Sequence, residues 1–108
     1  MSDIGIPYAR DMYGKTPWDD GGAEAMWAKS SVACAPAVRT PTLFLHAEND
    51  HRCTKEQSII MFSALKYFGI ESRLVLIKDE SHNYGFNGKP KNRIRRFEEI
   101  LGWFGRFI

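Results

Sequence analysis

The chain has 108 residues, a length that suits one domain, and 44% of them are hydrophobic, which is enough for a globular core. Fifteen Lys and Arg against 13 Asp and Glu leave a formal net charge of +2, too near balance to indicate a nucleic acid or an anionic membrane as partner. Cys34 and Cys53 form no C-x-x-C pair, and no Cys/His set has structural-zinc spacing, so we expect free thiols. The composition excludes several classes of protein and selects none.

The start of the chain shows no targeting signal. The segment MSDIGIPYARD has neither the basic start nor the apolar run of a signal peptide. No apolar stretch approaches the ~18 residues that cross a bilayer. These observations predict a cytoplasmic protein with no membrane partner.

The first part of the chain is typical of irregular structure. Residues 1–22 are rich in Gly, Pro, Asp and Tyr and predict a loop, followed by a short helix near AEAMWAKS. The predicted sheet begins at VRTPTLFLHAEND, where Pro41 sets the entry. Thr42 to His46 form a short apolar run that indicates a parallel strand covered on both faces.

A helix and a second strand follow. Thr54 and Gln57 fit a capping box, in which the hydroxyl and the amide serve the first free N–H groups of a helix. Gly69 can take the left-handed conformation and predicts the end of this helix. Residues 72–78, SRLVLIK, predict the second strand. The helix carries a broad apolar stripe of Ile59, Met61, Phe62, Leu65 and Phe68.

The last segment has the clearest periodicity. Apolar residues recur at steps of three and four and predict one buried face of a helix that begins near Pro90 or Asn92. The expected order is loop, short helix, strand, helix, strand, loop and helix, a β-α-β unit with a closing helix in the α/β class. The predicted face consists of Ile94, Phe97, Leu101, Phe104 and Ile108.

Asp50 and His82 are candidate catalytic residues. A right-handed strand-helix-strand crossover brings the C-terminal ends of two parallel strands to one edge of the sheet, about 4.8 Å apart if the strands are neighbours. Asp50 follows the first strand and His82 the second, so their loops can touch. A carboxylate on one imidazole nitrogen lets the other nitrogen take a proton from a serine hydroxyl. The same placement also fits two loop residues without a chemical role.

The segments around both residues resemble a known family. The two segments are TPTLFLHAENDHRCTKEQ and SHNYGFNGKPKNRIRRFEEILGWFGRF. They resemble the C-terminal end of the catalytic domain of the prolyl oligopeptidase family, particularly its acylaminoacyl-peptidase and dipeptidyl-peptidase-like members. SDIG and YGKTPWDD resemble the loop region that precedes these strands. The resemblance implies an α/β-hydrolase fold and a triad in the chain order Ser, Asp, His, with Asp50 as the acid and His82 as the base.

The chain departs from the family pattern in two ways. Thr54 replaces the usual proline after RC, although threonine caps the same helix. The G-x-S-x-G motif that carries the nucleophile is not present. We therefore expect residues 1–108 to be the C-terminal portion of a hydrolase domain, with the nucleophile, the oxyanion-hole loop and any β-propeller outside them. None of the serines has the flanking glycines: Ser2, Ser30, Ser31, Ser58, Ser63, Ser72 and Ser81.

One polar cluster also suggests a metal site. His46, Glu48 and Asp50 alternate along the first strand and its end, with His51 and Cys53 nearby. A cluster at a strand end without a distant fourth ligand is usually only a polar loop. We expect no metal and no cofactor.

Two further patterns have structural interpretations. The basic run KPKNRIRR raises nucleic acid or anionic lipid as a partner, but Glu98 and Glu99 follow it, and a solvated helix face explains it better. Trp18, Trp27 and Trp103 are expected to pack in the protein and not to form a substrate cage.

The sequence is best interpreted as part of a serine peptidase or esterase that contributes Asp50 and His82 to acyl transfer on a peptide, acyl-peptide or ester, inactive by itself. The alternative is a non-catalytic assembly domain with remnant hydrolase residues. A G-x-S-x-G motif upstream in the natural polypeptide would favour the hydrolase. In the family's fold the strand 42–46 pairs with a preceding strand, so its free edge here predicts a homo-oligomer.

Overall fold

The computed structural model describes residues 5–108 as a two-stranded parallel sheet with flanking helices, which confirms the predicted α/β class. Among these residues, no helix is both long enough and apolar enough to cross a bilayer. In chain order the elements are α1 (Gly5–Tyr13), α2 (Gly22–Ala28), a 3-10 helix (Ser31–Ala37), β1 (Thr42–Ala47), α3 (Lys55–Tyr67), β2 (Ser72–Ile77), α4 (Tyr84–Asn87) and α5 (Pro90–Gly105).

The predicted N-terminal loop is wrong over about half of its described part, because α1 occupies Gly5–Tyr13. Residues 1–4 of that loop, with most of the SDIG segment, lie outside the described residues. Pro7 is compatible with α1 because the first N–H groups of a helix have no partner within it. Gly14, at φ 70°, ends the helix and donates its N–H to the Arg10 carbonyl at 2.9 Å.

The two strands pair in parallel and in register, from Thr42 opposite Ser72 to Ala47 opposite Ile77. α3 forms the crossover and buries Leu65, which is fully inaccessible to solvent. The carboxyl ends of β1 and β2 therefore lie side by side. The core beneath them consists of Ala47, Val75, Ile77 and Tyr84, with Leu43 and Leu45 packed against it.

α3 begins and ends where predicted, but the predicted capping box does not form. Thr54 is the N-cap residue, yet its side chain makes no capping hydrogen bond. The Gln57 N–H donates to the Thr54 carbonyl at 3.0 Å instead, so the capping box is absent. At the other end, Gly69 N–H donates to Lys66 O at 3.1 Å and Ile70 N–H to Leu65 O at 2.9 Å, which is a Schellman motif.

α5 begins at Pro90 as predicted, but the face expected to be buried is exposed. Trp103 is the residue of α5 that is buried, at 6% exposure. Two strands about 4.8 Å apart present a surface narrower than a helix about 10 Å across, so they cover little of it. The prediction of buried packing is also wrong for Trp18 and Trp27, which are exposed. The exposed residues of the α5 face are Ile94, Phe97, Leu101, Phe104 and, beyond the helix end, Ile108.

Two glycines allow a matched test of backbone strain. Gly69 has φ 72°, whereas Gly102 lies inside α5, and a methyl group added at either position would meet no atom within 4 Å. We expect Gly69→Ala to lower the free energy of unfolding by about 1 kcal/mol, because a side chain disfavours the left-handed conformation. Gly102→Ala should raise it by up to about 1 kcal/mol. Urea midpoints measure both, and a Gly69→Ala protein as stable as Gly102→Ala would contradict the explanation.

Candidate active site

Asp50 lies in the loop between β1 and α3, three positions after the end of β1. Its side chain is 8% exposed. Oδ1 accepts hydrogen bonds from the backbone N–H of Arg52 at 2.9 Å and of Cys53 at 2.8 Å. These two donors come from the turn that Asp50 itself begins, so the local chain fixes the direction of the carboxylate.

His82 follows β2 and meets the second oxygen of the same carboxylate. Its Nδ1–H donates to Asp50 Oδ2 at 2.9 Å, while the side chain remains 47% exposed. A carboxylate only accepts hydrogen bonds, so Nδ1 carries the proton and the neutral ring keeps its lone pair on Nε2. Within residues 5–108, Nε2 makes no hydrogen bond. The arrangement leaves His82 able to accept a proton from an incoming group.

The two loops meet because the strands are in register. Beyond the last pair of β1 and β2, Glu48 N–H donates to Ile77 O at 2.9 Å and Asn49 N–H to Glu80 O at 3.0 Å. The ladder thus continues to the residue before Asp50. The contact between Asp50 and His82 expected from the topology is present, whereas their catalytic roles remain a prediction.

Asp50 is held in its ionised form. Burial by itself raises the pKa of Asp50, but hydrogen bonds from the Cys53 N–H, the His82 imidazole and the Arg52 N–H outweigh it and bring the pKa below the usual 3.8. At neutral pH the carboxylate therefore stays negative beside the imidazole. A negative carboxylate at 2.9 Å is suited to stabilising an imidazolium on His82.

His46, on β1, forms a hydrogen bond to the loop that follows Asp50. Its Nε2 lies 2.6 Å from the Cys53 carbonyl oxygen, which only accepts, so Nε2 carries the proton and donates. Nδ1 lies 2.7 Å from Ser58 Oγ on α3, and Nε2 lies 3.7 Å from Asp50 Oδ2. Both ring nitrogens are thereby occupied by protein groups. This histidine was a candidate metal ligand, and within residues 5–108 no group of three or more His, Cys, Asp or Glu side chains is placed to hold a metal ion.

Glu80 is a second buried acidic residue near His82, at 7% exposure. This burial is not expected from the sequence, because a charged residue after a strand is normally exposed. One available signal was its position two residues before a candidate base, together with Asn92 at the start of a predicted helix.

Comparison with known proteins assigns the chain to a family. A family model described as "Prolyl oligopeptidase family" matches residues 1–108. The chain belongs to the prolyl oligopeptidase family. This match confirms the resemblance seen around Asp50 and His82.

Curated relatives in this family are much longer than the chain. "Uncharacterized peptidase YuxL" of Bacillus subtilis (strain 168) is 37% identical over 108 residues, which are 100% of this chain and 16% of the relative. Dipeptidyl-peptidase 5 of Schizosaccharomyces pombe is 36% identical over 91 residues, 84% of this chain and 13% of the relative. The chain thus spans less than a fifth of either relative.

A solved member shows the same arrangement of strands and helices. The acylaminoacyl peptidase of Pyrococcus horikoshii superposes with a TM-score of 0.85 at 28% identity, covering 97% of this chain and 17% of that one. The family match and this superposition confirm the predicted α/β-hydrolase fold.

The lowered pKa of Asp50 predicts a pH-dependent stability. The unfolded chain binds more protons than the folded protein in acid, so the contribution of Asp50 is complete above about pH 4 and is lost as the pH falls through the folded pKa. We expect the free energy of unfolding of the protein to exceed that of Asp50→Asn by more at about pH 6 than at about pH 3. Urea unfolding at both pH values measures this difference.

The control for this experiment is Asp11→Asn. The Asp11 side chain is exposed on α1 and makes no hydrogen bond or ion pair within the described part of the chain. A difference between the protein and Asp50→Asn that stays constant over the same pH range would contradict the role of the three hydrogen bonds.

Proposed function

We propose that the chain supplies the acid and the base of a Ser-Asp-His triad in a serine peptidase of the prolyl oligopeptidase family. One observation carries this proposal: His82 donates Nδ1–H to Asp50 at 2.9 Å and keeps Nε2 without a partner within residues 5–108. A general base needs this orientation before it can activate a hydroxyl. Family membership supports the same reaction class.

In the proposed mechanism the nucleophile comes from a part of the polypeptide outside these 108 residues, because no G-x-S-x-G motif is present among them. The serine oxygen forms a bond to the carbonyl carbon of the substrate as its proton passes to His82 Nε2. Asp50 stabilises the resulting imidazolium. His82 then returns the proton to the leaving group as the acyl bond breaks, and water repeats the sequence on the acyl-enzyme.

Peptides are the proposed substrates. Relatives of known name are a dipeptidyl-peptidase and an acylaminoacyl peptidase, and both names refer to cleavage of peptide chains. Esters with good leaving groups pass through the same acyl-enzyme and serve as convenient assay substrates. The 108 residues by themselves are proposed to be inactive, since a base without its nucleophile has nothing to activate.

In the full-length protein we expect His82→Ala to lower kcat by several orders of magnitude, because the serine proton then has no acceptor. Asp50→Asn should lower kcat by about 10⁴-fold, because the amide favours the wrong tautomer of His82. Hydrolysis of a peptide anilide and of a p-nitrophenyl ester measures both effects.

His51→Ala is the matched control, because this exposed histidine lies beside Asp50 and makes no side-chain hydrogen bond within residues 5–108. It should retain kcat. A fluorophosphonate probe should label the full-length protein but none of the serines of the isolated 108 residues. Full activity in His82→Ala, or stoichiometric labelling of the isolated chain, would overturn the proposal.

We also propose that the 108 residues in isolation associate with themselves. Within residues 5–108, β1 pairs only with β2, so its other edge is free for a strand from a second copy. The α5 face exposes Ile94, Phe97, Leu101 and Phe104 to more than half of their surface. A two-fold axis would let one contact cover both features, and a net charge of +2 offers little repulsion.

Light scattering at tens of micromolar is expected to show a dimer or a larger assembly of the isolated chain. Leu101→Lys, at the centre of the exposed α5 face, should shift the distribution toward monomer because it places a charge in the contact. Glu98→Lys is the control, since it adds a lysine to the same helix outside that face. A folded monomer that remains monomeric at this concentration would contradict the proposal.

A further inference from the structure

Glu80 is buried beside the candidate base but takes no part in the proposed proton transfer. It lies two residues before His82 and is 7% exposed. Among residues 5–108, the buried polar or charged residues are Asp50, Ser72 and Glu80. A buried carboxylate is costly unless its oxygens accept hydrogen bonds, so its contacts indicate what it does.

The Glu80 side chain closes the loop that carries His82. Oε1 accepts the backbone N–H of Lys89 at 2.8 Å and the Nδ2–H of Asn92 at 2.7 Å. Lys89 is the N-cap residue of α5, and Asn92 lies in the first turn of that helix. One oxygen therefore joins the beginning of the loop 80–89 to its end, with His82 between them.

The Glu80 backbone joins the same loop to the candidate acid. Its carbonyl oxygen accepts the N–H of Asn49, the neighbour of Asp50, at 3.0 Å. The residue thus has one contact toward Asp50 and two toward α5. A displacement of Glu80 would move the start of the His82 loop relative to Asp50.

Gly88 packs closely against the Glu80 carboxylate. A methyl group placed on Gly88 would lie 2.9 Å from Glu80 Oε2 and 2.5 Å from the Tyr84 carbonyl oxygen. The Asn92 amide and the Lys89 N–H lower the pKa of Glu80, outweighing the opposite effect of burial. The loop is therefore closed by an ionised group at neutral pH.

We propose that Glu80 is a positioning residue for His82: by accepting Lys89 N–H and Asn92 Nδ2–H it holds the loop 80–89 so that His82 stays within hydrogen-bond distance of Asp50. The inference rests on the proposed function, because it concerns the same base. Displacing a catalytic group by about 1 Å can cost about 10²-fold in rate, so the closure is expected to affect kcat.

The test uses the full-length protein and a peptide anilide. Glu80→Ala removes the oxygen that accepts both hydrogen bonds, and we expect kcat to fall about 10-fold to 100-fold with KM unchanged, since His82 moves while the rest of the site stays. Glu80→Gln keeps an oxygen that can accept both hydrogen bonds, and should retain kcat within about threefold. Loss in the alanine variant with rescue by glutamine identifies the acceptor, and not the charge, as the required feature.

Two further variants separate positioning from general stability. Asn92→Ala removes one of the two donors to Glu80, together with a longer bond from Nδ2 to the Lys78 carbonyl at 3.4 Å, and should lower kcat less than Glu80→Ala. Glu99→Gln is the control, because this acidic residue of α5 pairs with Arg73 on β2 and does not contact the His82 loop. It should leave kcat unchanged.

The outcomes distinguish this inference from the proposed function. Retained activity in His82→Ala would overturn the function itself. If His82→Ala is inactive, full kcat in Glu80→Ala would overturn the positioning role, and so would an equal loss in Glu80→Gln and Glu80→Ala. If Glu80→Ala does not fold, Asn92→Ala decides: a lower kcat at unchanged KM supports the role, and an unchanged kcat overturns it.

Discussion

The in-register parallel pairing of β1 and β2 is the constraint on which the candidate site depends. Because Ala47 lies opposite Ile77, β1 and β2 end at the same edge of the sheet. The next two N–H groups after β1, those of Glu48 and Asn49, still donate to carbonyl groups of the β2 side. A shift of one residue would turn every side chain of one strand to the other face. The contact between Asp50 and His82 is thus a property of the sheet, expressed in the two loops that follow it.

The two buried carboxylates beside this edge of the sheet stabilise different loops. Each accepts backbone N–H groups from its own chain, Asp50 from the turn that follows it and Glu80 from the start of α5. Asp50 keeps one oxygen for His82, whereas Glu80 directs its bonds away from the imidazole toward α5. Within residues 5–108, directed N–H donors offset the cost of burying both carboxylates.

The sequence predicts those features that depend on neighbouring residues. Both strands, the helix between them and its end at Gly69 follow from short patterns, and the contact of Asp50 with His82 follows from topology. The helix α1 was missed because its Pro and Gly are turn formers that a first helical turn also tolerates. The contacts of His46 and Glu80 could not be predicted, because they require the three-dimensional course of loops whose residues are separated in sequence.

The α5 helix shows why the burial of a helix face is harder to predict than the contact between Asp50 and His82. The apolar residues of α5 recur at steps of three and four, which predicts which side of the helix is apolar. The helix forms where this pattern indicates. The pattern does not specify which surface covers the apolar face. Trp103 is buried, whereas most residues of the predicted apolar face of α5 are exposed. The contact between Asp50 and His82 needs no such surface, since Asp50 is held by the N–H groups of the turn that follows it and His82 by the Asp50 carboxylate. The contact of Asp50 with His82 is therefore made entirely within the described residues, which leave most of the apolar face of α5 exposed.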